Sequence, residues 1–145
     1  MKKLRFLLIG CGRISKNHIA AAAANPDTME LCAVCDPVVE RAEAKAQMLK
    51  EQAGYDAAVY TDYHKALEEL DIDVCSIATE SGYHAQIALD CIAHGKHVLV
   101  EKPMALSTKD AEAMLRAAEA NGVTLGVCHQ NRFNKSIQKI RSAVE

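Results

Sequence analysis

The sequence has no tryptophan and few aromatic residues of any kind, four tyrosines and two phenylalanines among 145 residues. That scarcity argues against a surface that stacks nucleobases. Net charge is scarce as well: the basic and acidic side chains nearly balance, leaving −2 at pH 7. No electrostatic excess draws the chain to nucleic acid or to an anionic membrane. Long apolar runs are also missing, and nothing approaches the roughly 20 apolar residues of a membrane span. Met1-Lys2-Lys3 does have the outline of an export signal, and Leu8-Ile9-Gly10-Cys11 matches a lipoprotein cleavage box. The apolar run from Phe6 to Ile9 is nevertheless far shorter than the roughly 7–15 residues a signal core needs. The expectation is a cytoplasmic protein.

Half of the residues are apolar and a quarter are charged, the balance of an ordinary globular domain. Six cysteines, at 11, 32, 35, 75, 91 and 128, lie inside apolar segments, where a free thiol behaves as a small hydrophobe. Cys32 and Cys35 form a C-x-x-C pair, but within a predicted strand. Positions three apart on a regular strand face opposite ways, so the pair is not expected to chelate. Reduced thiols and no metal are the expectation.

Along the chain, short β-like runs alternate with segments of helical period, without repeats or a linker. Leu4–Ile9, Leu31–Cys35, Ala58–Tyr60, Val74–Ala78, His97–Val100 and Val123–Cys128 are the predicted strands. Helices are predicted from the glycine turn to Ala24, through Val39, Ala42, Ala46 and Leu49, over Asp62–Leu70, and over Tyr83–His94. Another follows Ser107, which forms a capping box with Asp110 and leads an apolar face of Ala111, Met114, Leu115 and Ala118. Strands alternating with helices imply right-handed βαβ units, hence an α/β, doubly wound parallel sheet of Rossmann type. This single domain is expected over residues 1–133. Residues 134–145 begin a further helix with Ile137, Ile140 and Val144 on one face, read as the lead into a second domain cut off after Glu145.

Four polar clusters follow predicted strands. The first is Gly10-Cys11-Gly12-Arg13-Ile14-Ser15, where Gly10 permits a tight turn and Gly12 lets the backbone approach a pyrophosphate at a helix start. The third small position holds Ser15 instead of glycine. Asp36 ends the second strand at about the 20-residue distance expected of an acid that binds ribose hydroxyls. Such an acid repels a 2′-phosphate, so NAD is favoured over NADP, although Arg13 and Arg41 near the adenosine end would blur that choice. A purely structural turn, or an S-adenosylmethionine site, also uses a glycine turn and an acid. The second cluster, Thr79-Glu80-Ser81-Gly82-Tyr83-His84, is suited to the diphosphate and nicotinamide ribose, with Ser81 alternatively only a helix cap. The third is Glu101-Lys102-Pro103-Met104: Glu101 is a candidate for ribose hydroxyls and Lys102 for a substrate oxygen gaining negative charge. The fourth, His129-Gln130-Asn131-Arg132-Phe133-Asn134, offers donors for a polyhydroxylated or anionic ligand, Gln130 towards the cofactor and Asn131 and Arg132 towards substrate. Ligands of such sheets bind at strand C-termini, so four clusters at one edge point to one site.

The segments LLIGCGRISKNH, AVCDP, IATESGYH, VLVEKPMAL and VCHQNRF together resemble the N-terminal domain of the Gfo/Idh/MocA oxidoreductases, which include glucose–fructose oxidoreductase and inositol dehydrogenase. CHQNRFN is similar to the branch that oxidises UDP-linked N-acetylglucosaminuronate. The resemblance implies hydride transfer between a sugar, nucleotide-sugar or cyclitol carbon and nicotinamide, with Lys102 polarising the reacting oxygen and Glu101 holding the nicotinamide ribose. It further implies a second α/β domain carrying a catalytic histidine, the remaining substrate walls and a homo-oligomer interface. Glu80 departs from the family, which commonly has proline there. A second reading is a non-catalytic dinucleotide-binding sensor or interaction module.

Overall fold

Residues 2–145 are described by a computed structural model. The first half of the chain runs β1 (Leu4–Ile9), α1 (Ser15–Ala24), β2 (Met29–Cys35), α2 (Val39–Ala53), β3 (Ala58–Tyr60) and α3 (Tyr63–Glu69). The second half runs β4 (Val74–Ile77), α4 (His84–Ala93), β5 (His97–Val100), α5 (Thr108–Ala120), β6 (Leu125–Val127) and α6 (Lys135–Val144). All strand pairs are parallel, in the order β3-β2-β1-β4-β5-β6. The chain order reverses between β1 and β4, and a crevice opens there beyond the strand C-termini.

Successive residues of a strand face opposite sides, and the core divides accordingly. Leu7 and Ile9 of β1 join Cys75, Ile77, Val98 and Val100 beneath α3, α4 and α5, whose inward residues include Leu67, Ile87, Ile92 and Met114. Leu8 faces the other way, with Leu31 and Val34, beneath Ile19 of α1 and Leu49 of α2. Ser107 caps α5 by accepting from the Asp110 amide at 3.1 Å, as expected of a capping box. Asn134 does the same for α6, accepting from the Ser136 amide at 2.9 Å.

Several expectations need correction. The β1–β2 register slips between Phe6 and Leu7, so that Leu31 and Ala33 have partners on β1 and Cys32 has none. The irregularity breaks the alternation, and Cys32 packs against the same core layer as Cys35 instead of facing away from it. Both remain free thiols. Leu115 is 54% exposed because α5 presents only Met114 and Ala118 fully to the sheet. The sixth strand is shorter than its apolar run, and a 3-10 turn at Ser81–Tyr83 precedes α4. No helix of the described residues is long and apolar enough to cross a membrane.

Candidate functional site

The sheet hydrogen bonds continue one step beyond the strand ends. Gly10 N–H donates to Cys35, Ala78 N–H to Ile9, Glu101 N–H to Ile77 and Cys128 N–H to Val100, at 2.8 to 2.9 Å. Four polar clusters are thereby set side by side along one edge. Gly10 has φ +95°, and a Cβ there would lie 2.6 Å from the Ala78 carbonyl carbon and the Thr79 nitrogen. Glycine is required both for the turn and for its seat against the exit of β4. Gly12 faces open space, with nothing within 4 Å of where a Cβ would stand. Ser15, the departure from a third glycine, is fully buried and donates its hydroxyl to the Gly12 carbonyl at 2.6 Å. Among the described residues no side chain caps the start of α1, and no acid lies in its first turn. Its positive end is open to an anion.

Asp36 is buried beside this turn. One carboxylate oxygen accepts from the Cys11 amide and the other from the Val38 amide, each at 2.9 Å. Each oxygen keeps a further acceptor direction for a hydroxyl. The carboxylate lines a cavity of about 420 Å³ with Pro37, Val38, Arg41, Tyr63, Thr79 and Tyr83. On the other side of Thr79 lies a second cavity, about 410 Å³, lined by Arg13, Ile14, Lys16, His84, Glu101 and Lys102. Two cavities meeting at Thr79 beside an uncapped helix start suit a dinucleotide, with one half in each and the diphosphate between. Arg41 thus lies on the Asp36 side, as expected. Arg13 does not: it lies with Lys102.

Glu101 is 8% exposed and well supplied with donors. Its Oε1 is 3.1 Å from His18 Nε2, and its Oε2 accepts from the Lys102 amide at 3.2 Å. Burial, with the Glu101 charge and a hydrogen bond to it, pushes the Cys128 thiol up to about 11, so the sulfur is a proton donor at neutral pH. Lys102 is exposed, and the Lys102–Pro103 peptide is cis. The buried carboxylate is therefore anchored from inside the fold while the adjacent ammonium faces the cavity.

His84, expected at the cofactor, lines the Lys102 cavity but is 1% exposed, and both its ring nitrogens face carbonyl oxygens. Nδ1 is 2.8 Å from the Pro103 oxygen and Nε2 3.1 Å from that of Thr79, so the ring ties the β4 exit to the β5 exit. Ser81 lies in the 3-10 turn, caps no helix with its hydroxyl and lines neither cavity. Glu80 adopts φ −64°, the angle proline imposes, so the loop keeps the course a proline would give it. Gln130 lines a smaller cavity of about 230 Å³ with His18, Glu101 and Cys128. Asn131 is exposed, and Arg132 lines a separate cleft against α6 with His129 and Phe133. Neither lines the cavity of Lys102. The residues missed in the sequence are His18, Ser76 and Cys128. The one available signal was a lone imidazole on the alanine-rich helix that follows the glycine turn.

The profile of the Gfo/Idh/MocA group, described as an oxidoreductase family with an NAD-binding Rossmann fold, matches residues 4–129. The chain belongs to the Gfo/Idh/MocA oxidoreductase family. Its relatives include inositol 2-dehydrogenase of Salmonella typhimurium, 27% identical over 95% of this chain and 40% of that protein. Another is the NADP(+) scyllo-inositol 2-dehydrogenase IolU of Bacillus subtilis, 33% identical over 95% of this chain and 40% of that protein. Among solved structures, the WlbA dehydrogenase of Bordetella pertussis in complex with NADH and UDP-GlcNAcA superposes with a TM-score of 0.86. It is 37% identical over 99% of this chain and 42% of its own. The chain spans about two fifths of the length of these Gfo/Idh/MocA proteins.

Proposed function

We propose that this protein is the cofactor-binding part of an NAD-dependent dehydrogenase that oxidises a hydroxyl group of a sugar, a nucleotide sugar or a cyclitol. The carrying observation is the Asp36 carboxylate, fixed by two backbone amides beside an open helix start. It has acceptor capacity left for two ribose hydroxyls and a charge that repels a 2′-phosphate, which favours NAD over NADP. The substrate range rests on the inositol dehydrogenases and the UDP-GlcNAcA-bound WlbA structure among the relatives. In this reading residues 1–133 are the dinucleotide domain, and residues 134–145 lead towards a second domain that completes the substrate walls and the oligomer. The six free cysteines fit a cytoplasmic setting.

When bound, nicotinamide supplies the hydride acceptor. The residues of this chain supply position and charge. The open amides at the start of α1, with Gly12, receive the diphosphate. Glu101 orients the nicotinamide ribose from the inner wall of the Lys102 cavity. Lys102 donates a hydrogen bond to the reacting oxygen and stabilises negative charge developing there.

Calorimetric titration with NAD and NADP, for the parent chain and for Asp36→Ala, tests the cofactor reading. NAD should bind more tightly than NADP, and the substitution should weaken NAD about tenfold, the worth of a lost charge-assisted hydrogen bond. Absence of binding by either nucleotide would overturn the reading. In a protein that includes the second domain, Lys102→Ala should lower kcat by about 10²–10³-fold. Near-normal turnover would remove Lys102 from the chemistry.

A further inference from the structure

Three polar side chains form a hydrogen-bonded chain across the fold, from β4 to the cavity that holds Lys102. Ser76 Oγ, on the inner length of β4, is 2.8 Å from His18 Nδ1. His18, on α1, places Nε2 3.1 Å from Glu101 Oε1, and Oε2 of the same carboxylate accepts from the Lys102 amide at 3.2 Å. Cys128, at the exit of β6, adds its thiol beside the carboxylate. Hydrogen-bond accounting orders the protons. With a single ring proton on Nε2, His18 donates to Glu101 while Nδ1 accepts the Ser76 hydroxyl, and every group is satisfied. Both carboxylate oxygens are then fixed by donors that belong to different elements, one on α1 and one on the β5 exit loop.

His18, Glu101 and Cys128 are also a group whose donor atoms lie within 4.8 Å of one another, the spacing a metal ion would use. The hydrogen bonds favour another role. His18 Nε2 is already committed to the carboxylate, and burial beside Glu101 keeps the Cys128 thiol protonated at neutral pH. The carboxylate is therefore held by the imidazole and the Lys102 amide, with a protonated thiol beside it.

We propose that His18 is a positioning residue that holds Glu101, and with it the Lys102 backbone, in place for the nicotinamide half of the cofactor. This deepens and rests on the roles proposed above for Glu101 and Lys102. A carboxylate this buried requires its donors. Without the imidazole, Glu101 loses the contact that turns Oε1 inward, and the carboxylate is free to swing towards the cavity. The Asp36 cavity contains neither His18 nor Glu101, so the adenosine half is untouched.

The test separates the two halves with two probes, NADH and ADP, titrated into the parent protein, His18→Ala and His18→Gln, with thermal melts of each. ADP reports the Asp36 cavity and the diphosphate seat alone. His18→Ala should weaken NADH about tenfold and leave ADP within twofold. His18→Gln, whose amide nitrogen can replace Nε2 as donor, should recover most of the NADH affinity. Equal loss for both probes would show a merely structural residue, and an unchanged NADH affinity would show that Glu101 needs no such anchor; either overturns the proposal. If His18→Ala fails to fold, Ser76→Ala removes the partner of Nδ1 alone. It should weaken NADH about threefold with ADP unchanged, and no change would overturn the proposal. A parent protein that binds neither probe would instead bring down the underlying reading of the cofactor site.

Discussion

Gly10 and Gly12 stand two positions apart and are required for different reasons. A methyl group at Gly10 meets backbone atoms of the β4 exit at 2.6 Å, at a φ that side chains rarely adopt. Gly10→Ala should therefore destabilise the protein by about 2–4 kcal/mol, combining backbone strain with overpacking. A methyl group at Gly12 meets nothing, so Gly12→Ala should keep the melting temperature while weakening NAD, because the methyl occupies the approach to the helix start. Melts and titrations of both variants check the pair; equal stabilities, or unchanged NAD affinity at Gly12→Ala, would refute the division. Both glycines and Asp36 were legible in the sequence because their chemistry is local, a turn and an acid at a fixed distance. His18 was not, because its partner Glu101 lies 83 residues away and only strand order brings them together. His84 was legible as a polar residue at the right edge. Its contacts were not, since the two carbonyl oxygens it meets belong to loops that the fold alone sets side by side.

At the scale of elements, periodicity found all six strands and the helices between them, and erred where one side chain broke a regular pattern. An alternation drawn along β2 cannot show the slipped register at Cys32, which depends on the pairing with β1. Nor can an i, i+3, i+4, i+7 pattern on α5 show that the helix rolls Leu115 away from the sheet. The strand ends also bury thiols, and this has a consequence for stability. Burial first, then neighbouring carboxylates, pushes Cys11 and Cys35 up to about 12 from an ordinary value of 9.0. Above pH 9 the unfolded chain gives up these protons and the folded chain keeps them, so unfolding releases protons and stability falls as pH rises. The stabilisation is complete below pH 9 and is lost progressively towards 12. Between pH 9 and 10 the pair should remove about 2 kcal/mol. Denaturant midpoints from pH 7 to 10 should be level and then drop, and a Cys11→Ala, Cys35→Ala double variant should drop less. Parallel behaviour of the two proteins would assign the fall to other groups.

The molecule as a whole is one sheet clad on both faces, and α6 belongs to neither cladding. The buried residues of one core layer extend along the chain to Ala118 and those of the other to Ala78, whereas every residue from His129 to Glu145 is exposed. Ile137, Ile140 and Val144 make α6 amphipathic, yet its apolar face meets no core layer of the described residues. The sequence reading puts a boundary after residue 133, where the helical period restarts; continuous exposure begins earlier, at His129. Apolar burial is the main favourable contribution to folding, and α6 contributes almost none. A chain ending at Asn134 should therefore unfold within about 3 °C of the parent, since 1 kcal/mol corresponds to about 2–4 °C for a domain of this size. It should also retain NAD affinity, because neither principal cavity includes a residue of α6. A fall of 8 °C or more, about 2 kcal/mol or greater, would mean that α6 is integral to this folding unit, and the boundary would have to move beyond Glu145. A fall in NAD affinity at unchanged stability would instead make the cleft between β6 and α6, where Arg132 lies, part of the cofactor site.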